Sequence, residues 1–144
     1  LEPFVWLIVG LAGVPSVALW SALGRRIGVV QAFAIACLVE AVGVAASVLW
    51  VSGPGVLLAA AFLGGTFMGI TALGLVEARR LASGDPRRVL AVMTAAFGLG
   101  QILGPLVAGF SAQRSGSYVL PSLLAAAALV LSAALVLATR QRRA

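Results

Sequence analysis

The chain has 144 residues, 62% of them hydrophobic and only 10% charged, with a mean hydropathy of +1.13, whereas a soluble domain carries roughly 45–50% apolar and about 25% charged residues. Too few polar side chains are present to coat a core in water, so the exterior must be lipid. The net charge of +6 comes from arginines gathered in the breaks between apolar runs, which excludes a basic stripe or tail for nucleic acid, and the lack of histidine removes His-ligated metals and Ser/His or Cys/His nucleophile pairs.

A helix that crosses a hydrocarbon core of about 30 Å needs about 20 mostly apolar residues. Charges and Gly/Pro breaks predict five such helices, at about 3–23, 28–51, 56–80, 87–112 and 118–139. The expected fold is therefore an all-α integral membrane bundle, without a cofactor. The first helix stops at Gly24-Arg25-Arg26 and contains Pro15, which removes one backbone hydrogen bond and should kink it. Ser16 and Trp20 share one face of it and are candidate solute contacts.

The second helix carries Glu40 at its middle, where an ionised acid costs about 2.5–3.5 kcal/mol on insertion scales. Ala36, Glu40, Gly43 and Ser47 form one stripe of mostly small residues that should face neighbouring helices. Glu40 is either a proton-binding carboxylate or a hydrogen-bonded packing residue. Cys37 stands alone and reads as a small buried hydrophobe.

Gly65 and Gly69 in the third helix, beside Gly64, have the small-xxx-small spacing that lets helix backbones approach closely. Thr66 and Thr71 flank Gly69 and are candidate cavity residues. After Glu77, Arg79 and Arg80, the turn Ser83-Gly84-Asp85-Pro86 offers capping side chains and a proline suited to a first helical turn. The fourth helix repeats the small-residue spacing at Gly100/Gly104 and carries Pro105 as a second kink. Thr94, Phe97 and Gln101 lie on one of its faces. Thr and Ser often bond back to their own helix, so Gln101, whose amide cannot be satisfied so locally, is the leading solute contact. The fifth helix follows Ser115-Gly116-Ser117.

Cytoplasmic loops retain Lys and Arg. Alternate connections hold Arg25 and Arg26, then Arg79, Arg80, Arg87 and Arg88, then Arg140, Arg142 and Arg143, against Arg114 alone on the opposite side. This places the N-terminus outside, the C-terminus in the cytoplasm, and Trp6, Trp50 and Tyr118 at the outer interface. Pro15-Ser-Val-Ala-Leu-Trp-Ser-Ala22 reappears as Pro105-Leu-Val-Ala-Gly-Phe-Ser-Ala112, identical at five of eight positions and ninety residues later. Ninety residues is three helix-plus-loop units, and an odd number of crossings reverses direction, which is the pattern of an inverted three-helix repeat as found in many secondary transporters.

Gly64-Gly-Thr-Phe-Met-Gly-Ile-Thr-Ala-Leu73, Gly84-Asp-Pro-Arg-Arg88 and Thr94-Ala-Ala-Phe-Gly-Leu-Gly-Gln-Ile-Leu-Gly-Pro105 make the chain resemble the C-terminal half of a major facilitator superfamily (MFS) transporter, most closely of the YbfB/YjiJ-type branch. The resemblance covers essentially the whole chain and implies helices 8–12 of a twelve-helix fold in the bacterial inner membrane. Gly24, Arg25 and Arg26 match the end of the family's Asp-Arg-x-Gly-Arg-Arg loop signature, while Ser21 stands where the acid would be. By the same resemblance the helix bearing Glu40 is peripheral to the central cavity. The implied function is that of a fragment of a secondary active transporter, proton-coupled, moving a small-molecule substrate by alternating access. Its partners are then the lipid bilayer and the missing N-terminal helices of the same chain, with no nucleic acid. The alternatives are a small self-contained structural or dimeric membrane protein and, with no His and no paired intramembrane acids, last of all an intramembrane enzyme.

Overall fold

The computed structural model describes residues 2–141, and the tail arginines Arg142 and Arg143 counted in the charge asymmetry lie outside the described residues, as does the side chain of Arg140. Five helices form: α1 (Glu2–Ile27), α2 (Val29–Leu49), α3 (Gly53–Leu81), α4 (Pro86–Ser115) and α5 (Val119–Gln141). Each is long and apolar enough to cross a membrane.

The helix ends show why several of them run past the apolar stretches. Arg25 and Arg26 occupy the last turn of α1, where cations complement the helix dipole, so α1 continues to Ile27. Gly28 then turns the chain at φ 101°, a conformation that disfavours any side chain. The Ser52 hydroxyl accepts from the Gly55 N–H at 3.2 Å and Pro54 sits in the first turn, so α3 starts before its apolar run. Asp85 accepts from the Arg87 N–H at 3.0 Å in the same way for α4. Arg114 lies over the Phe110 ring at 4.3 Å, and α4 extends to Ser115 before the left-handed Gly116 caps it.

Packing centres on α3. It lies against both α1 and α2, α2 also packs on α5, and α4 touches only the edges of α3 and α5. The buried positions are mostly small: Ala32, Ala34, Ala36, Cys37, Ala41 and Gly43 in α2, and Ala59, Ala60, Gly64 and Gly69 in α3. Ala34 and Cys37 meet Ala133 of α5, with Phe33, Ile70, Leu129 and Val136 around them. Small residues dominate because lipid tails are as apolar as any side chain, so helices are held by backbone proximity rather than by escape from water.

The closest approach is between α1 and α3. A side chain at Gly64 would run into the Val9 carbonyl, and one at Gly69 into the Trp20 ring, whereas one at Gly65 would meet nothing within 4 Å. The contact thus falls on Gly64 and Gly69 rather than on a regular Gly65/Gly69 ridge. The reason is that α1 presents its backbone at Val9 and a large ring at Trp20, so different parts of α1 set the two positions. On the other side, a Cβ at Gly43 would lie 2.7 Å from that of Phe62. Gly64→Ala is expected to destabilise the bundle by about 1–3 kcal/mol, the usual penalty of overpacking, while Gly65→Ala leaves stability unchanged or slightly higher. Thermal unfolding in detergent checks both.

Candidate functional site

Ser16 and Trp20, one turn apart on α1, both reach the same backbone atom. The Ser16 hydroxyl donates to the Gly65 carbonyl at 2.8 Å and the Trp20 indole N–H donates to it at 2.7 Å. Ser16 Oγ also accepts from the Gly69 N–H at 3.0 Å. Gly65 O and Gly69 N are the acceptor and donor of one turn of α3, so a hydroxyl from α1 is inserted beside that turn. Ser16 is fully buried. These two side chains, expected at a solute-facing surface, therefore spend their polar atoms on α3. The absence of a Gly65 side chain leaves its carbonyl accessible, and the absence of one at Gly69 leaves room for the Trp20 ring.

The next residue of α3 makes the corresponding link to α2. Thr66 is 2% exposed and Glu40 8% exposed. The Thr66 hydroxyl lies 2.6 Å from the Phe62 carbonyl of its own helix and 3.3 Å from Glu40 Oε2. With one proton to give, it is shared between its own backbone and the carboxyl group. Glu40 is thus joined to α3 at the level where α1 is also joined to it, and successive residues Gly65 and Thr66 carry the two links. The sequence pointed to all of these side chains but not to their partners.

The remaining candidates lie elsewhere. The Thr71 hydroxyl bonds to the Phe67 carbonyl at 3.0 Å and that of Thr94 to the Leu90 carbonyl at 2.9 Å, the local back-bonding that hydroxyl residues adopt in helices. Phe97 is 44% exposed and meets Phe67 with ring centroids 6.1 Å apart. Gln101 and Pro105 are exposed on α4, where side chains at Gly100 and Gly104 would meet nothing within 4 Å. Pro15 lies exposed within an unbroken α1, and Pro105 within an unbroken α4. At the helix end, Arg25 and Arg26 are exposed, and a Cβ at Gly24 would press on Leu73 at 3.2 Å.

Two residues escaped the sequence reading as contributors. Gly64 makes the tightest contact with α1, but a run of two glycines does not reveal which one faces a neighbour. Glu77, near the end of α3, lies 3.9 Å from Arg80, and its buried Oε2 has no hydrogen-bond donor. Only its spacing from Arg80 along the helix could have signalled the pair. Among the described residues, no three His, Cys, Asp or Glu side chains come together as a metal site would require.

The chain resembles one group of known sequences. A family profile described as "Uncharacterised MFS-type transporter YbfB" matches residues 1–137. No curated protein and no solved structure matches it.

Interhelical hydrogen bonds in membranes average about 0.6 kcal/mol and reach about 1.7 kcal/mol. Trp20→Phe keeps the ring beside Gly69 but loses the bond to Gly65, and its expected cost is in this range. Thr66→Val should cost a comparable amount by releasing Glu40. Thermal unfolding of the two single variants in detergent measures each, and Thr71→Val, whose hydroxyl bonds only within α3, is the control expected to change little.

Proposed function

Because the chain belongs to a family of MFS-type transporters, we propose that it forms the part of a secondary active transporter corresponding to helices 8–12 of a twelve-helix fold. It moves a small solute across the bacterial inner membrane by alternating access, with the N-terminal end of α1 outside and the C-terminal end of α5 in the cytoplasm. The arginine asymmetry supports this orientation.

The observation that carries the reading is the contrast between α1 and α4, which hold the two copies of the echoed segment. In the first copy, Ser16 and Trp20 bond to α3. At the equivalent positions of the second copy, Leu106 and Phe110 are exposed, and α4 has no buried residue. If α3, α4 and α5 form one inverted unit, the other unit is a helix preceding α1, then α1 and α2. The symmetry mate of the α1–α3 contact is then a contact between α4 and that preceding helix. Gly98, Gly100, Gly104 and Gly109, at each of which an added Cβ would meet nothing within 4 Å, suit the close approach of such a helix. The N-terminal half of the transporter completes the cavity around Gln101, Thr94 and Phe97.

Proton coupling rests on Glu40. Its partner hydroxyl, on Thr66, is shared with the α3 backbone, so loss or gain of a proton at the carboxyl group changes the link that ties α2 to α3 within one moving unit. A glutamine there keeps a hydrogen-bonding group but removes the exchangeable proton.

Solute uptake into proteoliposomes tests the reading. The protein that includes the preceding helices is expected to accumulate its solute when an inward proton gradient is imposed, the downhill protons driving the uphill solute, and the 144-residue chain alone to give none. Gln101→Ala should raise the KM about tenfold, the equivalent of about one hydrogen bond. Glu40→Gln should abolish accumulation against a gradient while leaving solute exchange. Uptake by the 144-residue chain on its own would favour a self-contained dimer in which α4 meets a second copy.

A further inference from the structure

Beside the α1–α3 contact lies a cavity of about 260 Å³, whose lining includes Leu19, Trp20 and Leu23 of α1, Val39 of α2, and Phe62, Gly65 and Thr66 of α3. A Cβ on Gly65 would meet nothing within 4 Å, so the missing side chain leaves that wall open. The polar atoms around it are already engaged. The Trp20 N–H and the Ser16 hydroxyl are both bonded to the Gly65 carbonyl, and the Thr66 hydroxyl is bonded to Phe62 and Glu40. A polar solute would find no free donor here, and the volume is below the roughly 300–1,000 Å³ of a small-molecule pocket. The lining suits a length of hydrocarbon.

The same face of α1 ends in a charge. Arg26 follows Leu19 by seven residues and Leu23 by three, which places it on their stripe about 10 Å beyond Leu19 and about 5 Å beyond Leu23 along the helix axis. It is exposed, and the ion pair found among the described residues is Glu77–Arg80, which leaves Arg26 without a carboxylate partner there. Arg25 lies about 100° round the helix, off this face. An apolar slot below an unpaired cation at the membrane surface matches the two ends of a lipid, and basic positions at helix ends attract anionic headgroups.

We propose that α1 carries a site for one anionic phospholipid of the surrounding bilayer, with its phosphate on Arg26 and an acyl segment in the cavity beside Trp20. The site does not depend on the transport reading. The acyl chain fills the space left by Gly65 and presses the Trp20 ring against Gly69, so the lipid braces α1 on α3 where their hydrogen bonds lie.

Trp20 reports occupancy directly. The full chain carrying Trp6→Phe and Trp50→Phe, which retains Trp20 as its one tryptophan, is reconstituted in phosphatidylcholine vesicles containing a minor fraction of acyl-brominated phosphatidylglycerol or acyl-brominated phosphatidylcholine. Bromine quenches an indole it touches. The expected result is at least twofold stronger quenching by the brominated phosphatidylglycerol, an excess lost in Arg26→Gln and retained in Arg25→Gln. Gly65→Leu, which fills the cavity, should remove the excess as well. Equal quenching by the two lipids, or an excess that survives Arg26→Gln, would overturn the proposal. The two arginine variants lie at the exposed helix end, so they decide the matter even where Gly65→Leu impairs folding.

Discussion

The backbone contact between α1 and α3 is the constraint on which the rest of this bundle depends. In a bilayer nothing is gained by hiding one apolar surface against another, so helices associate through close packing and a few hydrogen bonds. Glycine at 64 lets the Val9 carbonyl come against α3, and glycine at 69 admits the Trp20 ring. That proximity brings Ser16 and Trp20 within reach of the Gly65 carbonyl. Large side chains at 64 and 69 would push α1 outward, and both hydrogen bonds would lengthen beyond use. Packing and polar bonding are therefore one arrangement.

The same turn of α3 also holds α2, through Thr66 and Glu40. This gives the bundle an uneven character: α1, α2 and α3 are joined by polar links, α5 is held by small apolar residues against α2, and α4 hangs on through edge contacts such as Phe67 on Phe97. A rocking transporter needs parts that move as units and faces along which they slide. In the proposed reading the polar links mark a unit, and the glycine-bearing surface of α4 marks a face that belongs against another helix.

Much of this was legible in the sequence because the bilayer imposes simple rules. Hydrocarbon thickness sets helix length, so five spans could be counted from charges and Gly/Pro breaks alone. Their ends are less clear: Arg25 and Arg26 look like a boundary, yet they stabilise the last turn of α1, and the helix ends only at Gly28. Ser16, Trp20, Thr66 and Glu40 stood out as polar residues in apolar helices. Their pairing did not, because for Ser16 and Trp20 the partner is a main-chain carbonyl, which every residue possesses. Likewise Gly65 looked like the contact glycine, but it contributes its carbonyl while Gly64 takes the close approach. Which side of a helix faces a neighbour is decided by where that neighbour lies, and this information sits in another helix.

The insertion of Ser16 beside one turn of α3 is the most direct point at which to test the account. Hydrogen exchange of the Gly69 amide, followed by NMR on the detergent-solubilised protein, measures it residue by residue. The account predicts a Gly69 amide among the slowest in α3, which loses protection in Ser16→Ala while amides of α5 keep theirs. Identical Gly69 exchange with and without the Ser16 hydroxyl would contradict it.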